Sequence, residues 1–257
     1  MAGQNERADA DLVEPGDALD SGESLAHEAL SRPVRTGNAF EETLARLLQL
    51  IRLGIVAPGD ALAPERELAA RFEVSRDTVR DAIRSLADAG YLESRRGRYG
   101  GTFVRDPLPD AQGAPAPEVT LDELDDILTL RTVLEVGAAR AAAARALSAA
   151  ERESLHSRLS ELAEADPADY RRLDSRLHLT IAELSGSSRL VSLIAENRMH
   201  VNLLLDRIPL LAPNIAHSDE QHAQIVWAVL VGDAEGAARA MDEHLRGSQS
   251  LLRAFLG

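Results

Sequence analysis

The 257-residue chain has no cysteine, so disulfides, iron–sulfur clusters and thiolate-held zinc are excluded, and a reducing compartment presents no difficulty. No run approaches the roughly 20 apolar residues needed to span a bilayer. The N-terminus is acidic where a secretory signal would be basic and then apolar, so the cytoplasm is the expected location. Neither an HExxH helix nor a nucleophile-elbow pattern occurs, and no internal repeat is evident. What remains is the composition of a soluble globular protein, 45% hydrophobic and 27% charged, long enough for two ordinary domains.

Positive charge is scarce as well. The net charge of −14 argues at first sight against nucleic acid, whose phosphates are bound by Lys and Arg. The distribution reverses that argument. Residues 31–106 hold 13 Arg against 11 Asp and Glu, a net of +2, which leaves −16 for the remainder. The local field governs docking, and an acidic remainder disfavours indiscriminate binding.

The stretch from Pro64 to Val104 organises the rest. Val79, Ala82, Ile83 and Leu86 fall at i, i+3, i+4 and i+7, the buried stripe of a helix capped by Ser75 and stopped at Gly90. Arg76 and Arg80, four apart, project from its opposite, polar face, with Thr78 beside them. A short helix over Glu65 to Phe72, with Leu68, Ala69 and Phe72 inward, precedes it across a brief turn. That pairing describes a helix-turn-helix whose second helix enters the DNA major groove. Tyr91–Ser94 and Thr102–Val104 then read as a hairpin wing. Between them lie Arg95, Arg96, Gly97, Arg98 and two more glycines, which supply positive φ and basic contacts to the phosphates or minor groove.

Gly54, Pro58-Gly59-Asp60, Leu62, Glu65-Arg66, Leu68-Ala69, Val74-Ser75-Arg76, Thr78-Val79-Arg80, Ala82, Leu86, Gly90, Arg96-Gly97 and Phe103-Val104 together resemble the winged helix of the GntR family of transcription regulators. Order and spacing are kept across about 50 residues. One departure is Pro64, standing where the family usually has Ser or Thr before the Glu. The cap hydroxyl is missing, although Pro suits the first helical position. The resemblance implies that Arg66, Arg76, Thr78, Arg80, Arg96, Gly97 and Arg98 contact DNA.

Residues 1–37 read as a disordered acidic tail, 38–106 as the winged helix-turn-helix, 107–119 as a Pro-rich linker, and 120–257 as an all-α antiparallel bundle. The fold class is therefore mainly α. Bundle helices are expected over 121–147, 149–164, 167–185, 188–206, 218–231 and 233–255. Three starts are marked by capping boxes at Thr120/Glu123, Ser148/Glu151 and Ser218/Gln221.

Asp174 and His178, four apart, share a helix face. His222 lies on a stripe with Ile225, Val226 and Val229, and His244 with Ala237 and Met241, so both point inward. A single such histidine is ordinarily a core residue bonded to a backbone carbonyl. Three with a carboxylate, on neighbouring helices, suit a divalent metal: zinc first, with nickel, manganese or iron also compatible. Arg131 sits on the apolar stripe of the first bundle helix, where it needs a partner. Glu135 would satisfy it as an ordinary ion pair. His27, His156, His200 and His217 have no comparable setting.

The Pro-rich link, Asp-x-x-x-His, His-x-x-Ile and a final His resemble the FCD effector domain of FadR-type GntR regulators. The resemblance implies that Asp174, His178, His222 and His244 coordinate a metal over which a small carboxylate binds, with Arg131 holding that carboxylate. Leu177 and Ser187 stand where the family often has Phe and Asn, which bears on the pocket's shape. The expected function is a DNA-binding transcription regulator, read as a repressor, acting as a homodimer on a palindromic operator and tuned by a small organic acid. Two alternatives stay open: a metal-dependent hydrolase or isomerase, and a regulator whose metal is purely structural.

Overall fold

The computed structural model describes residues 26–27, 39–97, 100–109 and 119–256. Three helices, α1 (Ala39–Arg52), α2 (Glu65–Phe72) and α3 (Arg76–Asp88), lead into the antiparallel strands β1 (Leu92–Arg95) and β2 (Gly101–Val104). Beyond 119 come α4 (Leu121–Ala143), α5 (Ala149–Ala163), α6 (Tyr170–Leu184), α7 (Ser188–Leu205), α8 (Ala212–Val231) and α9 (Ala234–Leu256). The chain is mainly helical, with a two-stranded hairpin on its N-terminal half.

Local chemistry sets the ends of the short helices. Ser75 accepts the Thr78 N–H at 3.0 Å, so α3 starts where the cap places it. Gly90, at φ +83°, lets its own N–H reach Ala87 and the next one reach Leu86, which satisfies the last carbonyls of α3. Pro64 precedes α2 with no side-chain cap, as its missing hydroxyl requires. The turn between α2 and α3 is made by Glu73 in the left-handed region at φ 53°. Val79, Ala82, Ile83, Leu86, Leu68, Ala69 and Phe72 are all buried.

The wing register pairs Leu92 with Val104 and Arg95 with Gly101. Among the described glycines of its turn, Gly97 alone has positive φ, at +112°. Gly100 serves differently: a Cβ there would lie 2.6 Å from the Arg95 carbonyl oxygen. The chain at 59–62 also pairs with β2, through Leu62 N–H to Thr102 O at 2.8 Å and Gly59 N–H to Val104 O at 2.9 Å. That contribution was not anticipated from the sequence.

Reciprocal capping boxes at Thr120/Glu123 and Ser148/Glu151 start α4 and α5. The third expected box is a correction. Ser218 lies inside α8, which begins at Ala212 with proline in its first turn, where the missing N–H costs nothing. Helices α4 and α6 are also shorter than 121–147 and 167–185. Helix α4 is central, packing against α6, α7, α8 and α9.

A continuous apolar core joins the two halves: Leu47, Leu50 and Ile51 of α1 belong to the same cluster as Leu179, Val191 and Ile194 of α6 and α7. Of the acidic segment 1–37 only 26–27 are described. Ala26 there is fully buried and donates its N–H to Glu183 at 3.0 Å, so it is packed, not solvated.

Candidate functional site

Arg66, Arg76, Arg80 and Arg96 are exposed, Thr78 is half-buried beside Ser75, and Gly97 forms the exposed wing turn. Arg98 lies outside the described residues. Arg80 projects outward and is also paired. Its guanidinium donates to Asp77 Oδ1 at 2.9 Å and to Glu65 Oε2 at 3.0 Å, with the side chain 45% exposed. Exposed ion pairs contribute about 0–1 kcal/mol, so a phosphate or base edge can displace these carboxylates. On the wing, Arg95 instead stacks on Phe103, 4.3 Å from the ring centroid, and bonds Glu93.

Asp174, His178, His222 and His244 come together in the bundle, with one donor atom from each lying within 4.8 Å of the others. Asp174 Oδ1 is 3.2 Å from His222 Nε2 and 3.7 Å from His178 Nε2, and the two Nε2 atoms are 3.4 Å apart. Four ligands held at about 2.0–2.1 Å from one zinc in tetrahedral geometry are roughly 3.4 Å from each other. The spacings among Asp174, His178 and His222 match one divalent cation, with His244 within 4.8 Å, and the donor types and burial suit one as well.

Protonation fits as well. His178 Nδ1 bonds Glu135, which leaves Nε2 toward the cluster, and His244 Nδ1 lies 3.2 Å from the Gln221 amide oxygen. Burial pushes His178 down to about 4 and His244 well below its ordinary value, so both imidazoles are neutral at pH 7. Burial alone would raise the Asp174 carboxyl, but Arg198, with His178 and His222, holds it well below the usual carboxylate range. Glu135 is likewise held down against burial by His178, Arg131 and Arg198. His222 Nδ1 is buried without a hydrogen bond and lies 4.0 Å from Asp219.

Arg131 and Arg198 complete the network. Arg131 is 1% exposed and donates Nε to Glu135 Oε1 at 3.1 Å and Nη1 to Ser248 at 2.8 Å, so the ion pair with Glu135 is formed. Arg198, fully buried on α7, donates to Asp174 Oδ2, to both Glu135 oxygens at 3.3 and 3.4 Å and to Ser175 at 3.3 Å. Two guanidinium groups thus cancel two carboxylates. Sequence reasoning passed over Arg198, although it shares an apolar stripe with Val191, Ile194, Ala195 and Val201. It also missed Gln221 as a partner of His244.

A cavity of about 370 Å³ opens beside this network, with Arg131, Asp174, His244, Gln221 and Ser248 in its wall. His217, unassigned from sequence, lies in that wall too, its Nε2 3.2 Å from the Gln221 amide nitrogen.

Residues 40–104 match the family model for bacterial regulatory proteins of the gntR family, and residues 126–247 match the FCD domain. The "Putative L-lactate dehydrogenase operon regulatory protein" of Escherichia coli (strain K12) is 32% identical over 229 residues, covering 84% of this chain and 86% of that protein. The HTH-type transcriptional regulator LutR of Bacillus subtilis (strain 168) is 29% identical, covering 80% and 97%. Among solved structures, E. coli McbR/YncC shares the fold at a TM-score of 0.54 and 19% identity, covering 85% of this chain and 99% of that one. No helix among the described residues is long and apolar enough to cross a membrane. With its helix-turn-helix, FCD domain and regulator relatives, the chain belongs to the GntR family of DNA-binding transcriptional regulators and is not an enzyme.

Proposed function

We propose that this regulator is a cytoplasmic repressor whose operator affinity is set by a small carboxylate bound beside a metal ion in the helical half. The division of labour follows the chain: residues 38–106 read DNA, 107–119 link, and 120–257 sense the effector. Arg76, Arg80 and Thr78 at the start of α3 reach base edges and phosphates, Arg66 supports them from α2, and Arg96, Gly97 and Arg98 engage the wing side. One winged helix reads few base pairs, so two copies related by a twofold axis on a palindromic operator are the economical assembly.

The observation that carries this reading is the convergence of Asp174, His178, His222 and His244 beside a cavity that Arg131 also faces. These four residues hold the ion, zinc being the best match to neutral imidazoles plus one carboxylate, with nickel, manganese or iron compatible. A bound divalent ion supplies a Lewis-acidic, positively charged anchor for an anion. The fixed charges around it, Arg131 and Arg198 against Asp174 and Glu135, cancel, so the added charge favours an anionic ligand. Arg131 Nε and Nη1 are committed to Glu135 and Ser248, and neither bond uses Nη2, which suits a carboxylate oxygen.

Metal analysis of the purified chain, paired with gel shifts on its own upstream DNA across a panel of small organic acids, tests the proposal. About one ion per chain and a retarded band released by one acid class are expected. An unretarded operator, or a band indifferent to every acid and to chelation, would reject the effector reading, the latter leaving a metal that only staples helices.

A further inference from the structure

We infer that the effector carries a sizeable apolar body behind its carboxylate, in the class of medium-chain or aryl-alkyl monocarboxylic acids and not short hydroxy acids or sugar acids. This rests on the reading of the cavity as the effector site and specifies what fills it.

The cavity's polarity is one-sided. Its charged and amide groups nearest the cluster are bonded to one another, through Arg131 with Ser248 and His244 with Gln221. Away from them the wall is mainly Leu205, Ile208, Leu210, Leu211, Ile215 and Leu251, from the end of α7, the chain running into α8, the first turn of α8, and α9; of the polar side chains among them, Asn214 stands between Leu211 and Ile215, and Ser250 is bonded to the Arg246 carbonyl. The large polar groups one helical turn before Asp174 are already committed. Tyr170 donates its hydroxyl to Asp219 at 3.0 Å, and Arg171 is held by Asp206 at 3.2 Å and the Ile208 carbonyl at 2.8 Å. A sugar acid entering here would set most of its hydroxyls against leucine and isoleucine, with the Asn214 amide able to meet few of them, and each group left unpaired would cost about 1–3 kcal/mol.

Size points the same way. The cavity of about 370 Å³ falls within the roughly 300–1,000 Å³ of sites that enclose drug-sized ligands. A three-carbon hydroxy acid would leave much of the apolar wall wetted. Leu211 remains 40% exposed, a large side chain that an apolar ligand would cover.

The test is titration calorimetry on the full chain loaded with zinc, using straight-chain carboxylates from acetate to decanoate, together with lactate and a hexuronate. Affinity is expected to tighten by about fourfold per methylene, as burial of each CH₂ requires, and to level off near octanoate. Ile215→Asn and Leu251→Asn should weaken octanoate by about tenfold and leave acetate unchanged, with folding checked by circular dichroism. A flat series, or lactate or hexuronate binding more tightly than octanoate, overturns the apolar body while the carboxylate site stands. Failure of every acid to bind zinc-loaded protein removes the effector site itself.

Discussion

The two places where this molecule concentrates arginine use it in opposite ways. On α3 Arg80 sits at the surface, its side chain 45% exposed, sharing its guanidinium between Glu65 and Asp77. At the bundle centre Arg131 and Arg198 are 1% and 0% exposed and are locked to Glu135 and Asp174. A solvated pair costs little to separate, so the first kind can exchange carboxylates for phosphates. A buried pair leaves an uncompensated charge when one member goes, so the second kind fixes geometry. The α3 surface can swap partners, and the bundle centre keeps them.

The sharpest way to break that contrast is to delete a buried guanidinium. Arg198→Met would strand the carboxylates of Asp174 and Glu135 in the interior, and we expect about 3–5 kcal/mol of lost stability in urea unfolding. A loss below about 1 kcal/mol would mean that the network is no more committed than the surface pairs. Metal removal comes next. Zinc at about 100 times its dissociation constant should stabilise the chain by about 2.7 kcal/mol. His222→Ala should abolish that increment in a thermal melt without changing the metal-free melting curve by a comparable amount.

Acid sharpens the comparison further. The folded state holds His178 at about 4 against an ordinary value near 6.5, so between those values the unfolded chain binds a proton that the native chain refuses. Stability of the metal-free protein must therefore fall as pH drops through that window, by about 1.4 kcal/mol per pH unit for this one histidine. His244 is displaced in the same direction and adds to the slope. Unfolding titrations from pH 7 to 4.5 measure it, and His178→Gln, neutral throughout, should flatten the slope by its share.

How much of this was legible beforehand depended on how far apart the partners lie in sequence. The α3 stripe and the inward direction of Asp174, His178, His222 and His244 are set by helical period, so residues three, four and seven apart revealed them. Arg131 with Glu135, also four apart, was readable for the same reason. Arg198's place on an apolar stripe was readable too, but its partners were not, because they lie 24 and 63 residues away and only folding brings them together. The box at Ser218/Gln221 misled because a Ser-x-x-Gln match says nothing of whether helix already precedes it. Here Pro213 had started α8 one and a half turns earlier, and the Gln221 amide was taken by His217 and His244.

On the exposed side the effects on stability should be small. Arg76→Ala and Arg80→Ala are expected to shift unfolding by less than about 1 kcal/mol. Each should weaken specific operator binding by about 1–3 kcal/mol if it reads a base edge. Footprints indistinguishable from those of the unaltered protein for both variants would take α3 out of the recognition role. The smallest effect concerns the turn that aims this helix. Glu73 occupies left-handed backbone at φ 53°, where a side chain costs about 1–2 kcal/mol that glycine does not incur. Glycine in turn gives up about 0.5–1 kcal/mol through the freedom it gains in the unfolded chain. Glu73→Gly should therefore stabilise the protein by under about 1 kcal/mol in chemical unfolding and leave operator affinity unchanged, since Glu73 is exposed and its backbone N–H still closes α2 onto Ala69. A loss of affinity without loss of stability would instead make the stiffness of that turn part of how α3 is presented to DNA.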